Sequence, residues 1–300
     1  MKFKNIAFTV MFLLVALYIA DSTYAASIQY ENSEQIIHPH QIYIPRVATL
    51  FDAIGGNPVG AIAPQYVTIL KQYDNWILIP TWIGEKWIDT SARLPHNARI
   101  IALTFDDGPG RHTDRLLDAL YERNVSATFF VLGSRVERYP DTARRIVAEG
   151  HEIGNHSFGH PSLIRLSADS IRSELVWTSN TIYQTTGVRP SVMRPPYGAH
   201  NQRVRDVAAE LGYPVIMWSV DTRDWERRNV NAIMSHIVRP DGTLRVRHGH
   251  NILMHDIHST TVDAAIIMVD LLLSHGFTFV TVSELLEYRV GEPIAGQVYN

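Results

Sequence analysis

From Ile100 onward, apolar runs of about six residues alternate with segments whose apolar residues recur at helical spacing. The runs Ile100–Leu103, Ala127–Leu132, His151–Asn155, Ser191–Met193, Pro214–Val220, Asn251–Met254 and Phe277–Val280 read as strands. Between them, Arg115–Tyr121, Asp141–Glu149, Ser167–Thr185, Gln202–Leu211, Asn231–Val238 and Thr261–Ser274 read as helices. Strand–helix alternation sustained over roughly 190 residues argues for an α/β fold with a parallel sheet. Seven strands favour a distorted, closed or nearly closed (β/α) barrel over an open sheet. In such barrels the chemistry sits at the C-terminal ends of the strands.

The chain ahead of this region has a different texture. Residues 28–94 carry short strand-like runs broken by turn residues: Arg46–Phe51, Val59–Ile62, Tyr66–Leu70, Trp76–Pro80 and Glu85–Ile88, with Gly55-Gly56-Asn57-Pro58 as a turn. Five short strands at roughly ten-residue spacing predict a small all-β barrel or sandwich. Their order resembles the bacterial SH3-like barrel, through the Asp74-Asn75-Trp76 strand entry and the final Lys86-Trp87-Ile88 strand. Such domains bind wall peptide or glycan. Taken singly, Trp76 and Trp87 read as core residues of a spacer domain. Ser91–Asn97, with Pro95, is a polar linker. Lys2, Lys4, the apolar stretch Ile6–Ala20 and the small residues Thr23 and Ala25 form a secretory signal peptide, residues 1–25, cut after Ala25. An uncleaved anchor is the alternative, although the stretch is short of the ~20 residues a span needs. The expectation is an exported protein, in the periplasm, the wall or outside the cell, with no membrane span once the signal is removed.

The 300 residues contain no cysteine, which excludes disulfides, thiol nucleophiles and cysteine-ligated zinc. Any transition metal must therefore use nitrogen and oxygen ligands. A net charge of -3 gives no basic footprint for nucleic acid.

Polar groups collect where the expected strands end. Thr104-Phe105-Asp106-Asp107-Gly108-Pro109 drives an apolar run into two adjacent carboxylates and then a turn. Two carboxylates that close are costly to ionise together without a cation or a proton between them. His156 and His160, four apart, can present both imidazoles to one side, and neutral imidazole is a common ligand for zinc-like ions. With one carboxylate they make a two-His, one-carboxylate set that suits zinc, cobalt or another divalent ion. The second carboxylate can take a proton from water acidified by the metal; spacing does not say which acid does which. Arg194 can orient the base. His255, at a strand end, can protonate a leaving amine if a carboxylate such as Asp224 holds it charged. Arg194 and Asp224 could equally be a buried pair that braces the rim. The later His248, His250 and His258 make no complementary acidic cluster, and Arg245, Arg247 and His248 read as a solvated loop.

The set Thr104-Phe105-Asp106-Asp107-Gly108-Pro109, His156-Ser157-x-x-His160, Arg194-x-Pro196-Tyr197, Asp221-x-x-Asp224-Trp225 and Leu253-x-His255 resembles the five motifs of the polysaccharide deacetylases, carbohydrate esterase family four or the NodB homology domain. The resemblance runs from Arg99 to Tyr288, within a domain of residues 98–290. It implies a metal-dependent deacetylase with Asp106 as general base and Asp107, His156 and His160 as metal ligands. It also implies Arg194 positioning Asp106, His255 as general acid tuned by Asp224, and the Tyr197 backbone N–H in the oxyanion site. Trp225 and Leu253 would wall the pocket for the acetyl methyl. With a wall-type domain in front, the expected substrate is peptidoglycan, first at N-acetylglucosamine and second at N-acetylmuramic acid. A chitooligosaccharide, an exopolysaccharide or acetylated xylan are the other glycans, and a non-catalytic wall-binding protein is the rival class.

Overall fold

The computed structural model describes residues 41–44, 48–62, 65–90 and 99–300. The expected signal segment 1–25, residues 28–40 of the expected front domain and the linker 91–97 lie outside the described residues.

Strands β1 (Gln41–Ile44), β2 (Ala48–Phe51), β3 (Pro58–Ile62), β4 (Gln65–Thr68), β5 (Lys71–Tyr73), β6 (Trp76–Ile79) and β7 (Lys86–Asp89) are all antiparallel. Five of them form a sheet in the order β3-β2-β7-β6-β5, and β1 pairs with β4. Their alternating inward residues, among them Leu50, Ile62, Ile77, Ile79 and Ile88, form one small core. Trp76 and Trp87 are half-buried at its edge, with Phe51 edge-on to Trp76 at 5.2 Å.

The second region is built around β8 (Arg99–Asp106). Ile100 to Phe105 are buried without exception, as a strand covered on both faces requires. On one side β8 pairs in parallel with β9 (Thr128–Val131), which pairs with β10 (Glu152–Asn155). On the other side, its first half pairs with β14 (Phe277–Val280) and its second half with β13 (Asn251–Met254). β12 (Val220–Asp221) then pairs with β13, and β11 (Val215–Ile216) pairs with β15 (Val298–Tyr299).

Helices fill the connections: α1 (Thr113–Glu122), α2 (Gly133–Arg138), α3 (Pro140–Ala148), α4 (Ala168–Thr186), α5 (Gln202–Glu210), α6 (Val230–Met234), α7 (Ser259–Ser274) and α8 (Val282–Val290). Their ends follow local chemistry. Ser167 accepts from Ser170 N at the start of α4, and Gly187 closes it in the left-handed region. Thr281 and Glu284 make a capping box on α8. The main core lies between the sheet and α1, α3 and α7, with Phe105 stacked on Phe129 at 5.2 Å.

Two expected strands differ. Ser191–Met193 is not a strand: Met193 alone makes parallel bridges, to Asn155 and to Val215, because Pro190 and Pro195 bound the run and lack N–H groups. Pro214–Val220 is not continuous but breaks between β11 and β12. At that break the carbonyls of Ile216 and Met217 accept from side chains, Arg194 Nε at 3.2 Å and Nη2 at 2.9 Å, and Met217 O also accepts from Asn251 Nδ2.

Candidate functional site

Asp106, His156, Arg194, Asp224 and His255 all lie at or just past the C-terminal ends of these parallel runs. Asp106 is the last residue of β8, and its carboxylate is buried. Oδ1 accepts from Arg194 Nη1 at 2.7 Å. The guanidinium is fully buried, and it also donates to Thr104 Oγ1 at 2.8 Å and to Asn251 Oδ1 at 3.4 Å. It lies 4.1 Å over the Phe130 ring. Burial pushes its pKa down and Asp106 opposes that. Thus Arg194 both braces the strand break and fixes one oxygen of Asp106, leaving Oδ2 toward the histidines. Oδ2 lies 3.7 Å from His156 Nε2.

The backbone of Asp107 is left-handed, φ +70°. Its Oδ1 faces His156 Nε2 at 3.4 Å and His160 Nε2 at 3.2 Å. Burial alone would raise this carboxyl; the two imidazoles outweigh it and hold the group well below the usual carboxylate range. Among the described residues, these three form the one cluster whose donor atoms could hold a metal ion, all within 4.8 Å of one another.

The donor set fits a divalent cation. His156 Nδ1 lies 2.7 Å from Arg194 O, a carbonyl that can only accept, so Nδ1 carries the proton. Without a proton, the Nε2 of His156 is a lone pair directed at Asp107 Oδ1, a carboxylate oxygen that is buried and makes no hydrogen bond. Facing acceptors need a cation between them, and an N₂O set matches zinc-like ions. The backbone carbonyl on Nδ1 is the usual outer support of a metal-binding imidazole.

His255 follows β13. Its Nδ1 lies 2.9 Å from Asp224 Oδ1, and its backbone N donates to Asp224 Oδ2 at 2.6 Å. Thr261 Oγ1 donates to the same Oδ2 at 2.8 Å. Asp224 is fully buried. Burial works against a charged imidazole here, but Asp224, helped by Asp106 and Asp107, raises its pKa to about 9. His255 is therefore an imidazolium at neutral pH, and it senses both acids of the neighbouring strand end.

The remaining expected residues sit on the same rim. Tyr197 is 70% exposed and has φ +62°, with its ring 4.5 Å from that of His160. Trp225, beside Asp224, is 51% exposed, whereas Leu253 is buried on β13. Thr222 Oγ1 ties the two segments by donating to Leu253 O at 2.8 Å. Of the seven non-glycine residues with positive φ among the described residues, five are Asp107, Ser157, His160, Tyr197 and Arg223. Each such conformation costs on the order of 1–3 kcal/mol and persists only where surrounding contacts impose it. His248, by contrast, accepts from Ile100 N through Nδ1 and packs on Tyr288.

Several supporting residues escaped the sequence reading. Asn251, Thr261 and Glu174 are single polar residues whose roles depend on partners remote in the chain. Asn251 and Thr261 carry one signal, a polar side chain inside or bordering an apolar run. Asp256 is a buried carboxyl raised to about 7 by burial. It accepts from Thr113 Oγ1, and its Oδ1 fills the space a Cβ on Gly108 would need, 2.6 Å away.

Comparison with known proteins agrees with this geometry. Residues 93–216 match the family model for polysaccharide deacetylase. The chain is 40% identical over 216 residues to the peptidoglycan-N-acetylglucosamine deacetylase PgdA of Listeria monocytogenes, covering 69% of this chain and 44% of that protein. It is 42% identical over 194 residues to the peptidoglycan-N-acetylmuramic acid deacetylase PdaC of Bacillus subtilis, covering 64% and 40%. The solved structure of PdaC superposes with a TM-score of 0.61 at 41% identity, covering 65% of this chain and 94% of that one. A peptidoglycan-N-acetylglucosamine deacetylase of Bacillus cereus is 32% identical over 246 residues, covering 79% and 86%. The matched stretch spans less than half the length of the first two of these relatives. On its sequence, its parallel α/β fold and its strand-end residues, the chain belongs to the polysaccharide deacetylase family.

Proposed function

We propose that this protein is a metal-dependent hydrolase that removes N-acetyl groups from peptidoglycan, at N-acetylglucosamine, with N-acetylmuramic acid as the alternative sugar. The observation that carries the reading is one three-ligand cluster, Asp107–His156–His160, set between a held carboxylate and a held imidazolium. Members of the family are metalloenzymes. A divalent ion, zinc or else cobalt, held by Asp107, His156 and His160 would supply Lewis acidity toward water and the amide carbonyl. Asp106 takes the proton of the attacking water on Oδ2, because Arg194 occupies Oδ1. The Tyr197 backbone N–H, in a residue left-handed at φ +62°, is the donor for the oxyanion in this reading. His255 donates its proton to the departing sugar amine, and Asp224 stabilises the imidazolium until then. Trp225 and Leu253 wall the acetyl methyl. Acetate and a free amino sugar result, with the C–N bond broken and the water's oxygen in the acetate.

The pairing sequence from β12 through β13, β8, β9 and β10, then Met193, to β11 supports a distorted barrel spanning residues 98–290. The five-stranded antiparallel sheet within residues 28–94 supports an SH3-like wall-binding domain. An apolar leader at residues 1–25 and wall-acting relatives support export. Among the described residues, no helix is long and apolar enough to cross a membrane.

The test is acetate release from purified sacculi, with mass spectrometry of the digested glycan to identify the sugar. Chelator is expected to stop release, and zinc or cobalt to restore it. Binding to sacculi without acetate release under any divalent metal would refute the reading and leave a wall-binding protein.

A further inference from the structure

The five-residue loop His156-Ser157-Phe158-Gly159-His160 carries both imidazole ligands, yet it belongs to no helix or strand. Ser157 and His160 are both left-handed, at φ +70° and +61°. For L-residues this costs on the order of 1–2 kcal/mol apiece. Something must therefore hold the loop.

Three side chains take the four successive backbone N–H groups from Ser157 to His160. Ser157 N donates to Asn155 Oδ1 at 3.0 Å. Phe158 N and Gly159 N both donate to a single oxygen, Glu174 Oε2, at 2.8 and 2.9 Å. His160 N donates to Ser157 Oγ at 3.1 Å. Two of these four amides, the middle pair between the ligands, depend on one residue from α4. Consecutive N–H groups converging on one carboxylate oxygen make an anion-binding nest, filled here from within the chain. Hydrogen bonds to an ionised acceptor are roughly twice as strong as neutral ones. Glu174 is half-buried and has no ion-pair partner among the described residues. One turn further along α4, Trp177 lies edge-on to Phe158 at 6.2 Å, and Asn155 Nδ2 donates to Leu175 O at 2.8 Å. The helix thus meets the loop through Glu174 and Trp177, and the strand end before it through Leu175.

The geometry points to Glu174 as a positioning residue that sets the spacing of the two metal-binding imidazoles. It touches neither metal nor substrate. It acts by fixing Phe158 and Gly159, so that His156 and His160 enter the cluster already oriented and metal binding does not have to order them. Outer-shell supports of this kind change metal affinity by about 10–100-fold when removed.

This inference rests on the metal-site reading above, and the experiment separates the two. Full-length protein, stripped by chelator, is titrated with cobalt(II) by its visible d–d absorption, and zinc affinity follows from competition. Glu174→Ala is expected to weaken zinc binding at least tenfold and to change the cobalt spectrum. Glu174→Gln keeps an acceptor oxygen for the two amides and is expected to stay within about threefold of wild type. In wild-type metal-free protein, the Phe158 and Gly159 amides are expected to resist hydrogen exchange, which tests the clamp even if Glu174→Ala does not fold. A Glu174→Ala protein with wild-type zinc affinity and spectrum would overturn the proposal, as would Gln falling as far as Ala or fast exchange at both amides. If wild type itself binds no metal, the metal-site reading fails instead.

Discussion

Replacing Asp224 with Asn isolates the acid arm of the site. His255 is raised to about 9 from an ordinary value of 6.5, although burial pulls it the other way. The gap corresponds to about 3.4 kcal/mol in favour of the imidazolium, at 1.36 kcal/mol per pKa unit. Asp224 supplies most of it through the 2.9 Å contact to Nδ1. With a neutral amide there, burial dominates and His255 falls to about 6.5 or lower. At pH 7.5 the protonated fraction would drop from about 97% to about 10% or less, by the ordinary titration relation. Activity should therefore fall about tenfold or more at that pH and recover on acidification toward pH 5.5. The assay is kcat/KM for acetate release from a soluble N-acetylglucosamine oligomer across pH 5–10, with metal saturating. The alkaline limb should move to lower pH in the variant. Thr261→Val is the control: it removes a bond to Oδ2 but leaves Oδ1 on the imidazole, so its limb should stay in place. A limb that stays at its wild-type position in Asp224→Asn would refute the assignment of His255 as the acid. The same pair affects stability. A histidine raised in the folded state contributes stability that is complete below about 6.5 and lost as pH rises through 9. The melting-temperature gap between wild type and Asp224→Asn should accordingly be larger at pH 6 than at pH 10.

Two further expectations follow from buried groups. Arg194→Lys cannot serve Asp106, Thr104, Asn251 and the carbonyls of Ile216 and Met217 at once. Urea denaturation should show a loss of about 2–5 kcal/mol, with acetate release down at least about 100-fold; near-wild-type values would contradict the bracing role. Asp256, raised to about 7 by burial, is the reverse of the usual aspartate: its stabilising contribution is present below about 4 and lost as pH rises through 7. Asp256→Asn cannot ionise, so its stability relative to wild type should be higher at pH 8 than at pH 5, by about 3 kcal/mol, read as a higher relative melting temperature. Equal differences at both pH values would show that the carboxyl titrates normally.

Much of this site is legible in the chain because a parallel strand delivers its last residue to one edge, whatever its neighbours are. Asp106 after Ile100–Phe105 and His255 after Asn251–Met254 are visible as polar residues ending apolar runs. The two misread strands fail for a physical reason. Ser191–Met193 is apolar but trapped between prolines, and Pro214–Val220 is apolar but interrupted where Arg194 and Asn251 take its carbonyls. Periodicity reports burial; it does not report which carbonyl is claimed by a side chain far away in sequence. Glu174 escaped for the same reason. On α4 it is one more polar helical residue, and only the fold places its oxygen under two consecutive amides.

The sequence by itself determined the alternation that makes a parallel α/β fold, the strand-end placement of the acids, histidines and arginine, and the nitrogen–oxygen character of any metal site. Those properties depend on local periodicity, turn residues and composition, all of which are written within a few residues of each position. The tertiary structure decided which carboxylate meets both imidazoles and which is held by arginine. Asp107, left-handed at φ +70°, brings Oδ1 to 3.4 Å from His156 and 3.2 Å from His160, while Arg194, 88 residues away from Asp106, fixes the other acid. Two adjacent aspartates are chemically identical until the backbone angle and a distant guanidinium make them different.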